Sequence, residues 1–166
     1  HAYQLNQSPV YEKVIRETIS FVSEKLGNGE GAYYCALDAD SEGQEGKYYV
    51  WTKKQLETVL GEEAAFFNAQ FNISEQGNWE NDLNILHMEP GKMNETIEQQ
   101  SLAAQKQKLL SIRERRISPG LDDKVLTSWN ALMLLALTDA YRALGDEKYL
   151  DMALKNARFL ESRMIN

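Results

Sequence analysis

The sequence predicts a mainly α fold of paired inner and outer helices carrying one short β-hairpin. Three observations carry this prediction. Apolar residues recur at helical spacing through 9–26. Two short aromatic or β-branched runs flank an acid-rich loop within 31–52. A stretch that is apolar nearly all round, 123–144, is followed by an amphipathic one.

In 9–26 the repeating positions are Val10, Val14, Ile15, Ile19, Val22 and Leu26, with Ser8 at the N-cap and Pro9 in the first turn, where its missing N–H costs nothing. Gly27, Asn28, Gly29 and Gly31 stop this helix. The runs 33–37 and 48–51 then form the arms of a hairpin with a long loop. Thr52 caps a short helix to position 60, Gly61 ends it, and 62–70 makes a second short helical segment bearing Phe66 and Phe67. An Asn- and Gly-rich loop runs on through Pro90 and Gly91. Residues 94–116 read as a long helix with Ile97, Leu102, Leu109, Leu110 and Ile112 on its apolar face and basic residues gathered at its C-terminal end. Ser118, Pro119 and Gly120 terminate it. The helix over 123–144 holds Leu126, Trp129, Leu132, Met133, Leu134, Leu135 and Leu137, so burial on several sides is expected. After Gly145 the last helix sets Tyr149, Ala153, Ala157, Leu160 and Met164 on one face. An inner helix backed by an outer amphipathic one is the arrangement of a two-layer helical ring or solenoid. No sequence repeat of fixed period accompanies it.

A chain of 166 residues can bury roughly 70% of its unfolded surface, enough for a real core. Its 18 basic and 25 acidic residues leave a net charge of −7, and the only basic cluster is Arg113, Arg115 and Arg116. Phosphate backbones require clustered Lys and Arg, so no nucleic-acid partner is expected. The single Cys35 provides neither an internal disulfide nor a Cys-x-x-Cys pair. The longest near-continuous apolar run, 125–137, falls short of the roughly 18 to 20 residues that span a bilayer. No membrane partner is expected, and the chain reads as soluble and cytoplasmic. It opens on His1, Ala2 and Tyr3 without an initiator Met, as an excerpt would, with any targeting region outside it.

The run GAYYCALDADSEGQEGKYYVWT, at 31–52, places Asp38, Asp40 and Glu42 within five positions. Acids this close repel one another, and a fold gathers them for a cation, a hydroxyl-rich ligand or acid/base chemistry. The calcium-loop pattern begins well but meets Tyr49 at its twelfth position, where a bidentate Glu is needed, so no metal is expected. A sugar fits better, because carboxylates accept from its hydroxyls while aromatic faces cover the apolar side of the ring. Tyr33, Tyr34, Tyr48, Tyr49, Trp51 and Trp79 supply such faces. Asp122, Asp123 and Lys124, at the expected start of the apolar helix, supply a second wall. Asp38, Asp40, Asp122 and Asp123 are therefore the catalytic candidates. Glu42, Tyr49, Trp51, Trp79, Glu80, Lys124, Trp129 and Asn130 are the ligand-binding ones. Each has a structural alternative. Asp122 and Asp123 could cap a helix for about 0.3 to 1 kcal/mol. Trp129 and Asn130 could be core, Asn78 and Glu80 a turn, and His87 a surface residue. No Ser/His/Asp arrangement, phosphate-cradling Gly loop or His/Cys ligand spacing is visible, and no cofactor is expected.

That acidic run, with GNWENDLNIL at 77–86 and DDKVLTSWNALMLLAL at 122–137, resembles the spermatogenesis-associated protein 20 family. Members join an N-terminal thioredoxin-like domain to a helical toroid similar to the N-acylglucosamine 2-epimerase and six-hairpin glycosidase folds. The resemblance covers most of 1–166 and implies a single helical domain, an inner section of an (α/α)6 toroid with a hairpin insertion at about 31–52. It implies ligands in the funnel mouth at one end of the inner helices. The function expected is carbohydrate binding or processing of epimerase or glycosidase type, whether or not the segment is itself an enzyme. The alternative is a non-catalytic scaffold. The partners implied are a sugar ligand, the remainder of the toroid with its thioredoxin-like domain, and a second copy of the chain where inner faces stay open. The thioredoxin-like domain and its cysteines are not in this chain, so no redox role carries over to it.

Overall fold

The structure, a computed structural model, describes residues 1–89 and 98–165, with the backbone alone at 98–100. Its elements are α1 (Ala2–Asn6), α2 (Pro9–Leu26), β1 (Ala36–Leu37), β2 (Asp40–Ser41), β3 (Gln44–Glu45), α3 (Lys53–Leu60), α4 (Ala64–Gln70), α5 (Glu98–Arg113), β4 (Leu121–Asp122), α6 (Thr127–Leu144) and α7 (Glu147–Arg163). The fold is mainly α, with short antiparallel strand pairs. The chain clusters into two compact units, one of His1–Asp38 with Leu121–Asn166 and the other of Ala39–Gly120.

The first unit is built on the α6–α7 helical hairpin with α2 against it. Gly145 turns the chain in the left-handed region, at φ 66°, and Asp146 caps α7 by accepting from the Lys148 N–H. The same Asp146 carboxylate takes the Arg16 guanidinium at 2.7 Å and ties α2 to the hairpin. Ile19, Leu137, Ala140, Tyr149 and Ala153 form the core between the three helices. Ser8 stands at the predicted N-cap of α2, yet its hydroxyl caps nothing, and Pro9 fills the first turn.

The second unit packs α3, α4 and α5 around Leu56, Leu60, Phe67, Phe71, Leu102 and Leu109. Thr52 and Gln55 form a reciprocal capping box at the start of α3, satisfying two otherwise orphan N–H groups. A 3₁₀ turn, Gly61–Glu63, leads into α4, so the second short helical segment opens in 3₁₀ geometry and continues as α. Phe67 and Phe71 stack with centroids 4.4 Å apart.

Several expectations are changed, and one lies in part outside the described residues. The arms of the predicted hairpin do not pair with each other. Ala36–Leu37 pairs with Leu121–Asp122, Tyr33 bridges Gly27, and Trp51 bridges Asn84. The hairpin that forms, β2 with β3, lies inside the acidic loop and turns on Glu42 and Gly43, both at positive φ, as a two-residue type I′ turn requires. The apolar helix starts at Thr127 and not at 123, because the backbone of Asp122 is held by the β1–β4 ladder. The start of the long helix at 94, with Ile97, lies outside the described residues, and its described end is Arg113, followed by turns through 116. Finally, α6 is not buried on several sides. Leu137 is buried, but Trp129, Leu132 and Leu135 stand 49%, 65% and 58% exposed, because α2 and α7 cover only one side of the helix.

Candidate functional site

The predicted residues divide between the two units. Asp38, Asp122, Asp123, Lys124, Trp129 and Asn130 lie in the first. Asp40, Glu42, Tyr49, Trp51, Trp79 and Glu80 lie in the second.

In the first unit the β1–β4 ladder sets the geometry. Ala36 stands opposite Asp122 and Leu37 opposite Leu121, so Asp38, one residue beyond the ladder, leaves the strand beside the Gly120–Asp122 segment. The Cys35 N–H also donates to the Asp122 carbonyl, at 3.1 Å. The Asp122 carboxylate folds back on its own chain, accepting from the Lys124 N–H at 3.3 Å and pairing with the Lys124 ammonium at 2.9 Å. Lys124, first, and then Cys35 hold that carboxyl below the ordinary carboxylate range, against a smaller opposing effect of desolvation. Asp122 is half-buried, while Asp38, Asp123 and Lys124 are exposed. Neither Asp122 nor Asp123 lies in the first turn of α6, whose N-cap is Leu126.

Asn130 is fully buried and committed to the fold. Asn28 donates to the Ala32 carbonyl and Tyr34 to the Leu26 carbonyl, which leaves the N–H and C=O of Tyr33 facing α6. The Asn130 side chain meets both, accepting from the Tyr33 N–H at 2.8 Å and donating to its carbonyl at 2.9 Å. Its Nδ2 also donates to the Leu126 carbonyl, and its Oδ1 accepts from Asn156. An amide here imitates one residue of a β partner. Trp129, its neighbour, faces outward.

In the second unit Glu42 pairs with Lys47 across the turn at 3.0 Å. Trp79 is 39% exposed and its indole N–H approaches the loop, 3.9 Å from where a Cβ on Gly46 would stand. Glu80 opens a tight turn through Asn81 and Asp82, both left-handed, closed by the Leu83 N–H donating to the Glu80 carbonyl. His87 has two orienting neighbours, with Asn72 and Asn78 at 3.5 and 3.4 Å from its ring nitrogens. Composition gave no sign of that arrangement. Trp51 is buried beneath Arg116, whose guanidinium lies 3.9 Å from its ring centroid. Arg116 also donates to the carbonyls of Lys47, Tyr48 and Val50 at 3.4, 2.9 and 2.8 Å. Burial, and then the charge of Arg113, hold its guanidinium below its ordinary pKa. Arg113 lies over Tyr48 and Tyr49, 5.4 and 5.3 Å from their centroids. The signal for this cluster is in the sequence, as the one basic group in an acidic chain. Among the described residues no three His, Cys, Asp or Glu side chains gather as a metal site, and no helix is long and apolar enough to cross a membrane.

No family model matches the chain. Among curated proteins, 99% of the chain aligns with spermatogenesis-associated protein 20 of Homo sapiens at 29% identity. The Mus musculus protein of that name matches over the same share, also at 29%, and the Rattus norvegicus protein at 26%. The chain is similar to spermatogenesis-associated protein 20 over nearly its whole length. It spans about a quarter, 25%, of the length of these relatives. The similarity to spermatogenesis-associated protein 20 takes in both units, the ladder with Asp122 and the hairpin with Glu42 alike. That name states no reaction, so the chemistry has to be argued from the residues.

Proposed function

We propose that the chain is a carbohydrate-binding or carbohydrate-processing segment whose working carboxylates are Asp38 and Asp122. The observation that carries this is the β1–β4 pairing of Ala36 with Asp122. Side chains alternate along a strand, so Asp38, two positions from Ala36, falls on the side of the ladder that Asp122 occupies. Diagonal neighbours of this kind stand about 7–8 Å apart. From backbone positions so spaced, the two carboxyl groups can reach either the spacing of about 6.5–9.5 Å at which an inverting pair admits a water or the roughly 5–5.5 Å of a retaining pair. Asp122, kept ionised by Lys124, takes the part of the base, and the outward ring of Trp129 in the same unit offers an apolar surface to a sugar.

Calorimetric titration of the chain with a panel of neutral and N-acylated mono- and oligosaccharides tests the reading. At least one sugar should bind, and Asp38→Asn and Asp122→Asn should each weaken it by about tenfold or more. Binding that both variants leave intact, or no binding across the panel, rejects the assignment.

A second reading, a scaffold or interaction module, is favoured by Trp129, Leu132 and Leu135, an outward apolar row on α6. Under it sugars fail to bind, and Leu135→Lys abolishes association with a thioredoxin-like domain while both Asp variants associate normally.

A further inference from the structure

The second unit holds a cleft of about 330 Å³ walled by Trp51, Phe71, Leu86 and Leu109, with Lys106 and Arg113 at its edge. Its volume is that of a small-molecule site, and its lining is the usual mixture of apolar walls and a few polar groups. Arg113 is the unusual part. Several other cations of this acidic chain meet carboxylates: Arg16 with Asp146, Lys47 with Glu42, Lys53 with Glu75, Lys108 with Glu63 and Lys124 with Asp122. Arg113 does not. Among the described residues it pairs with no acid, its Nε is buried without a hydrogen-bond partner, and its neighbouring charge is the second guanidinium, Arg116. Arg116 has carbonyls to donate to. Arg113 has only the faces of Tyr48 and Tyr49. A guanidinium with a buried, unpartnered Nε at the edge of an apolar cleft carries a desolvation cost that an anion beside it would offset.

We propose that this cleft binds a small aromatic carboxylate, its carboxylate meeting the Arg113 guanidinium and its ring lying against Phe71, Leu86 and Leu109. The planar fork of an Arg matches a carboxylate through two parallel N–H donors, and Lys106 adds a point charge at the rim. The site uses none of the residues assigned to sugar binding and stands or falls separately from it.

The test titrates the chain with 3-phenylpropionate and with its neutral counterpart 3-phenylpropanol, by calorimetry and by the Trp51 indole N–H resonance. The acid should bind with a Kd at or below about 1 mM, the alcohol about tenfold or more weakly, and the Trp51 resonance should move with the acid. Arg113→Gln should weaken the acid about tenfold. Arg113→Lys, which keeps the charge and loses the fork, should weaken it by several-fold, and Lys106→Gln by about two- to threefold with thermal stability unchanged. Equal affinity for acid and alcohol, no binding of the acid up to about 20 mM, or normal binding by either folded Arg113 variant overturns the proposal. If Arg113→Gln fails to fold, Arg113→Lys and Lys106→Gln decide it on the same terms.

Discussion

Replacing Asn130 by Ala removes the one side chain that satisfies both backbone groups of Tyr33. The Leu126 carbonyl keeps its helical partner, the Asn130 N–H at 3.0 Å, so that loss is small. The Tyr33 N–H and C=O keep none, since the bonds flanking them run from Asn28 and Tyr34. Two buried groups orphaned at about 1–3 kcal/mol each give about 2–6 kcal/mol. That is a large part of the 5–15 kcal/mol typical of a domain. At about 2–4 °C per kcal/mol for a chain of this size, Tm should fall on the order of 10 °C. Thermal unfolding followed by circular dichroism measures the midpoint, and urea unfolding the free energy. Asn130→Asp keeps the acceptor but loses both donations and buries a charge, and should fall further at neutral pH than at acid pH. An Asn130→Ala chain within about 1 kcal/mol of the parent at an unchanged m-value would refute the reasoning.

Gly31→Ala should cost about 1–3 kcal/mol from backbone conformation alone, because Gly31 sits at φ 116°, and more from contact, because a Cβ there would stand 2.7 Å from the Lys155 carbonyl oxygen; thermal unfolding reads it. The Arg16 bond, foremost, holds Asp146 below its ordinary pKa, so its contribution is present above about pH 4, the unfolded value, and is lost as pH falls through the lower folded value. Asp146→Asn should therefore lower stability at neutral pH and flatten its acid loss below about pH 4, as urea midpoints across pH would show. Arg116→Lys gives up the planar guanidinium that lies over Trp51 while its Nη1 serves three carbonyls, and should cost about 1.5–3 kcal/mol, with a shift in Trp51 emission as the second readout. Leu132→Lys and Leu135→Lys should change stability by no more than about 0.5 kcal/mol while lowering any self-association seen by sedimentation, since both side chains are already outside.

Where the governing interaction is local, the sequence is readable. Pro9 opens α2 within one turn, Thr52 and Gln55 announce the capping box three positions apart, and Gly145 with Asp146 marks the α6–α7 turn. Where the partner is remote, it is not. Ala36 and Leu37 look like one arm of a local hairpin, but their ladder partner is Leu121–Asp122, far along the chain, and nothing in the alternation of 33–37 names it. Glu42 hides the true turn, since a Glu with positive φ is an uncommon first residue of a type I′ turn where Asn or Asp is the usual sign. The apolar row of α6 shows that the helix is suited to being covered, and says nothing of what covers it. For the candidate site the reading of Asp38 with Asp122 coincides with a real pairing of their segments. Asp40, Glu42 and Trp79 belong to the other compact unit, the boundary running between Asp38 and Ala39. Asn130 was legible as an Asn in an apolar helix that needed partners, though not which partners.

Backbone and carboxyl NMR of the chain during titration with N-acetylglucosamine and its oligomers tests the central claim most directly. Saturable shifts are expected at Asp38 and Asp122, with Ala36 and Trp129 following and both carboxyl signals lost from the response in Asp38→Asn. Shifts confined to other residues, or a spectrum unmoved by any of these sugars, would contradict it.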